Sequence, residues 1–74
     1  MKKGDMVMFM DDKDVNYSKW FFGQIGELEK DPRRGDDGKM HVAVKWLRPV
    51  KYFSKYSSKS HFSADKFRVI CGNR

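Results

Sequence analysis

The residues whose types could do chemistry crowd into the second half of the chain. Lys45, Arg48, Lys51, Lys55, Lys59, Lys66 and Arg68 are interleaved there with Trp46, Tyr52, Phe53, Tyr56, His61 and Phe62. Cations neutralise phosphates and release their counterions, and exposed ring faces stack on unpaired bases, so this interleaving has the composition of an anion-binding surface. The charge is sharply divided. From Met1 to Val42 eight Lys and Arg stand against nine Asp and Glu, net −1, and from Ala43 to Arg74 eight stand against Asp65 alone, net +7, which together give the chain its +6. This pattern assigns Arg48, Lys51, Tyr52, Lys55, Tyr56, Lys59 and His61 to nucleic-acid or anion binding. Lys51, Lys55 and Lys59 would meet phosphates, Arg48 would pair or stack, and Tyr52 and Tyr56 would stack on bases. The plainer alternative leaves the cations as solubilising groups on strand faces and places Trp46, Phe53 and Phe62 in the core. Tyr52 and Tyr56 weigh against it, since they fall in a Ser- and Lys-rich stretch with few apolar neighbours to bury them.

Other chemistries fit less well. Asp12, Asp14, Asn16 and Ser18 imitate the opening of a calcium-binding loop. That loop needs Gly at its sixth position and Glu at its twelfth, and Tyr17 and Gly23 stand there. One Cys and two His are too few for a four-ligand structural zinc site. Ser57, Ser58, Ser60, Ser63, His61 and Asp65 supply the residue types of nucleophilic catalysis, but no strained nucleophile turn accompanies them. No catalytic residue, metal ligand or cofactor is therefore expected, and no small-molecule substrate.

The elements that would position the basic face read as short strands. With 74 residues and a single cysteine, Cys71, there is room for one small core and no internal disulfide. Asp5 to Met10 sets Val7 and Phe9 against Met6 and Met8, and Met40 to Trp46 sets Met40, Val42, Val44 and Trp46 against His41, Ala43 and Lys45. Trp20 to Leu28 reads as the second strand, with Gly23 and Gly26 at a bulge or bend. Asp31 to Gly38 is dense in turn formers and reads as an exposed hairpin loop. Val50, Tyr52 and Phe53 are strand-like, Ser54 to Ser60 loop-like, Ser63 to Lys66 a single helical or 3₁₀ turn opened by Ser63, and Phe67 to Ile70 a terminal strand. Period-two placement predicts a core of Val7, Phe9, Ile25, Val42, Val44, Trp46, Phe67 and Val69. The segments Asp11 to Lys19 and Asp31 to Lys39 are expected to be mobile, exposed and dispensable, with the acids near Asp11 and Asp36 projecting away from the basic face.

The fold class expected is all-β: a single SH3-like barrel domain over residues 1–74, of about five strands, with one short helical or 3₁₀ turn before the last strand. Gly4-Asp5-Met6-Val7, Trp20-Phe21 leading to Ile25-Gly26, Val42 to Trp46, Val50-Lys51-Tyr52 and His61 to Phe67 follow an order that resembles the SH3-like barrel family of photosystem I. KOW and Tudor-like modules share the broader layout. The acidic first loop and the Arg33-Arg34 hairpin are not part of that pattern. The resemblance implies docking of an acidic electron carrier, so a protein-interaction module for an acidic surface, including an accessory modulator of a larger complex, stands beside nucleic-acid binding as the second expectation. Electrostatic steering serves both. The apolar runs are far short of the roughly 20 residues that span a bilayer. No signal peptide is read at the N-terminus, where Asp5 precedes any apolar stretch. The expectation is a small cytoplasmic binding module that acts as a monomer.

Overall fold

The computed structural model describes residues 1–72. Six strands form one antiparallel sheet: β1 (Met6–Phe9), β2 (Ile25–Leu28), β3 (Arg33–Arg34), β4 (Met40–Tyr52), β5 (Lys55–Ser63) and β6 (Phe67–Cys71). A one-turn helix, α1 (Ser18–Phe21), precedes β2, and a 3₁₀ turn, Ala64–Lys66, separates β5 from β6. β4 organises the sheet. One of its edges carries β3 at residues 40–41 and β2 at residues 44–46, and the other carries β5, while β1 continues from β2 to β6. β5 and β6 are thus the outer edges. Among the described residues they share no strand pairing, so the sheet is coiled but not closed by hydrogen bonds. Side chains bridge the seam: Phe62 on β5 and Phe67 on β6 lie 6.0 Å apart, and Phe9 of β1 meets them at 5.1 and 5.4 Å.

The all-β class and the turn before the last strand agree with the sequence, and the strand count rises from about five to six. Alternation located six of the eight expected core residues, since Val7, Phe9, Val42, Val44, Trp46 and Phe67 are all buried. Ile25 is not. It stands opposite Met8 on the outer face, and Gly26 takes the inward position between Val7 and Trp46. Sterics choose that register, because a Cβ on Gly26 would lie 2.4 Å from a Val44 methyl and 2.8 Å from the Lys45 carbonyl oxygen. Val69 faces inward opposite Val7 but is 39% exposed, since β6 is an uncovered edge. The positions that complete the core are Phe21, Leu28, Val50 and Phe62.

The first of the two expected loops is exposed at Asp12, Lys13, Val15, Asn16 and Lys19, as expected, but Asp14, Tyr17 and Ser18 tie it to the scaffold. Asp14 uses Oδ1 to accept the backbone N–H groups of Asn16 and Tyr17, and its carbonyl accepts both the N–H and the hydroxyl of Ser18, which starts α1. The helix then drives Phe21 into the core, 5.3 Å from the Trp46 ring. A turn follows in which Gly23 adopts a φ of 81° and the Gln24 N–H donates to the Phe21 carbonyl, returning the chain to β2. Trp20 to Leu28 is therefore helix, turn and strand, where the sequence predicts one strand. Two of the loop's three acids are engaged as well. Lys66 Nζ lies 2.9 Å from Asp11 Oδ2 and 2.8 Å from Asp14 Oδ2, so they face the 3₁₀ turn and do not project. In the second expected loop, Arg33 and Arg34 pair with His41 and Met40 as β3. Asp37, near the tip, contacts His41 at 3.0 Å.

Candidate anion-binding face

The basic residues are positioned by a long hairpin of β4 and β5. Ser54 to Ser60 is not a loop. Apart from Ser54 it is strand, paired with β4 from Val50↔Ser57 to Tyr52↔Lys55 and again from His41↔Ser63 to Lys45↔Lys59. The stretch does not read as a strand in the sequence because it turns serines inward. Ser57 and Ser60 lie opposite Val50 and Val44, and a chain of hydrogen bonds satisfies them: Trp46 Nε1 donates to Ser60 Oγ at 3.0 Å, the two hydroxyls meet at 3.1 Å, and Ser57 Oγ donates to the Lys59 carbonyl at 2.7 Å. Buried hydroxyls with partners carry little penalty. They also send the alternate residues, Tyr56, Lys59 and His61, to the solvent.

Between Lys45↔Lys59 and Val50↔Ser57 the register shifts, and four residues of β4 oppose one of β5. This bulge turns Leu47, Arg48 and Pro49 outward, and it accommodates Pro49, which has no N–H for a ladder. Arg48 consequently lines a shallow groove with Leu47, Gly23, Gln24 and Ile25, on the outer face of β2. It is set apart from the lysines by the bulge.

The outer face pairs Ala43 with His61, Lys45 with Lys59 and Lys51 with Tyr56, and Lys55 pairs with Tyr52 on the alternate side of the ladder beside the turn. Lys45, Arg48, Lys51, Lys55, Lys59 and His61 are all exposed, as is Tyr56 at 71%. Two lysines directly opposite each other repel, so the Lys45–Lys59 pair costs stability. Neighbouring acids soften the lower part of the face, where Lys59 meets Glu29 at 3.4 Å and Lys45 pairs in register with Glu27. Towards the turn, no carboxylate among the described residues lies within ion-pairing distance of Arg48, Lys51 or Lys55.

Six of the seven expected site residues are therefore on the surface of one hairpin. Tyr52 is the exception. It is half-buried, stacked on Tyr17 at 5.6 Å with the rings 20° apart, and bordered by Trp20, Phe21 and Phe53. Burial, then the adjoining Tyr17 hydroxyl, pushes its phenol above the ordinary tyrosine range. The apolar neighbours come from the acidic first segment, which is why the local sequence around Tyr52 did not reveal them. Its ring is closed to a base, and Phe53, assigned to the core in the plainer reading, is exposed instead.

Of the hydroxyl-rich cluster considered in the sequence, Ser60 and His61 are separated by the alternation of β5. Ser60 points inward and His61 outward, so this serine and the histidine lie on opposite faces. Among the described residues no group of three or more His, Cys, Asp or Glu side chains is arranged to hold a metal ion. No described helix is long and apolar enough to cross a membrane. Comparisons with protein families, with curated proteins and with solved structures find no match to this chain.

Proposed function

We propose that the protein is a non-catalytic binding module whose β4–β5 face takes a polyanion, with nucleic acid, single-stranded or RNA, as the favoured partner. Lys51, Lys55 and Lys59 contact phosphates, Arg48 and His61 extend the face, and Tyr56 offers a ring beside Lys51. We propose, too, that this module acts as a monomer in the cytoplasm. One observation carries the reading. The cations nearest the hairpin turn have no carboxylate partner among the described residues, while Asp11 and Asp14 are both bound by Lys66. A face left positive in this way attracts phosphate and gains affinity from counterion release.

The test is a titration with single-stranded DNA, RNA and duplex DNA at two salt concentrations, alongside an acidic control protein. Log affinity for single strands should fall with log salt at a slope of roughly −0.7 per phosphate neutralised. The combined Lys51→Glu, Lys55→Glu, Lys59→Glu variant should lose most of the binding and flatten that slope. Unchanged binding in the variant would exclude this face. Salt-dependent binding to the acidic protein with none to any nucleic acid would replace the partner with an acidic protein surface.

A further inference from the structure

The turn that closes the β4–β5 hairpin is built on a residue that such turns avoid. Tyr52 pairs with Lys55, which leaves Phe53 and Ser54 as the two turn residues, and Phe53 has a φ of 58°. A two-residue turn with positive φ at its first central position alone is the kind that ordinarily takes Gly there, because a bulky side chain is strained in the left-handed region. Phe53 is the one positive-φ residue other than glycine among the described residues. Core packing does not explain it, since the side chain is 60% exposed.

Phe53 is nevertheless held in place. Its ring sits 4.5 Å from Tyr52, edge to face, and 5.4 Å from Trp20. Trp20 adds a second local cost, because its Nε1 is buried with no hydrogen-bond partner among the described residues. Two local costs thus meet at one aromatic tip, one of them at a residue that packs against the core and the other at an exposed ring. Strain that persists because its surroundings hold it in place is characteristic of binding sites. Two cations lie at the tip: Lys55 pairs with Tyr52 across the turn, and Lys19 Nζ lies 5.0 Å from the Trp20 ring centre. The acid whose field reaches Tyr52 is Asp14, which Lys66 already binds.

We infer that Phe53, backed by Trp20 and Tyr52, is a stacking post for an unpaired nucleobase, with Lys19 and Lys55 receiving the flanking phosphates. This rests on the nucleic-acid reading above and narrows it to single strands. A base inside a duplex has both faces covered by its neighbours, whereas a free base offers one to the ring. The stacking role expected of Tyr52 passes to the next residue along.

The experiment compares wild type with Phe53→Gly for binding of a ten-nucleotide oligo(dT), its oligo(rU) counterpart and duplex DNA, together with thermal melting. Phe53→Gly should melt at or above the wild-type temperature, because glycine relieves the turn. It should also weaken oligo(dT) and oligo(rU) binding about five- to 150-fold, the equivalent of the roughly 1 to 3 kcal/mol that stacking one base is worth, and leave duplex binding and the salt slope unchanged. Oligo(dT) should quench the fluorescence of Trp20 in wild type, with Trp46 shielded in the core, and Phe53→Gly should remove that quenching. If Phe53→Gly binds oligo(dT) as wild type does while the triple lysine reversal abolishes binding, the stacking post is wrong and the anion face survives. Should wild type bind none of the three, both readings fall. If Phe53→Gly melts lower, Phe53→Leu decides: it keeps bulk at the strained position without a stacking ring, and wild-type affinity in it overturns the inference, whereas the same loss upholds it.

Discussion

The segment from Asp11 to Lys19 and the hairpin from Leu47 to His61 are both rich in charged and polar residues, and they fold to opposite ends. The first uses its charge internally. Asp14 holds the turn before α1 with one carboxylate oxygen and binds Lys66 with the other, Asp11 adds a second contact to the same ammonium, and Tyr17 and Phe21 join the aromatic cluster. The second is held by its backbone ladder, by Val50 and Phe62, and by the inward chain of serines on Trp46. Its charged side chains contribute nothing to that scaffold apart from the contact of Lys59 with Glu29. Charge density alone therefore does not mark a binding face. What distinguishes the hairpin is a run of cations, Arg48, Lys51 and Lys55, that no carboxylate among the described residues pairs, whereas Asp11 and Asp14 of the acidic segment are both bound by Lys66.

Three variants sharpen the contrast through thermal or denaturant unfolding. The largest effect is expected in the acidic half. Phe21→Ala should destabilise the protein by about 3 to 5 kcal/mol, the cost of removing a buried aromatic and leaving a cavity, and a loss below about 1 kcal/mol would return residues 11–21 to the status of a dispensable loop. Lys66→Met should cost less. Its signature lies in pH: the Lys66 ammonium holds the carboxyls of Asp11 and Asp14 below the usual carboxylate range, with backbone N–H groups adding to the effect. Groups with depressed folded values contribute stability that is present above about pH 4 and is lost as pH falls through those values. The drop in melting temperature from pH 7 to pH 3 should be smaller in Lys66→Met than in wild type. An equal drop in both would show that the paired carboxylates are not what acid disrupts. The smallest effect is expected in the hairpin, where the Lys51→Glu, Lys55→Glu, Lys59→Glu variant should stay near wild-type stability, as exposed substitutions usually do within about 0.5 kcal/mol each. Unfolding of that variant would mean that the lysines are structural.

The limits of the sequence follow the same division. Alternation exposes the core where a strand has one apolar face, as with Val42, Val44 and Trp46 in β4. It fails where the inward position is a residue without apolar character. Gly26 displaces Ile25 because only a hydrogen fits against Val44, and Ser57 and Ser60 turn inward on β5 because Trp46 has an N–H to satisfy. A four-residue helix is too short to show a period, so Trp20 and Phe21 resemble strand residues until Asp14 is seen organising the turn before them. The cations of the site were legible as a cluster, and the hairpin gathers them. Which ring accompanies them was not, since the burial of Tyr52 depends on Tyr17, far away in the chain, and the exposure of Phe53 depends on a backbone angle.

Amide chemical-shift mapping by NMR, with oligo(dT) titrated into the isotopically labelled protein, tests the central claim most directly. Shifts should concentrate at Lys51, Phe53, Lys55, Tyr56 and Lys59 and fade at high salt, with Asp11 to Asn16 unmoved. Shifts centred on Asp11 to Asn16, or binding that leaves residues 51–59 unperturbed, would contradict it.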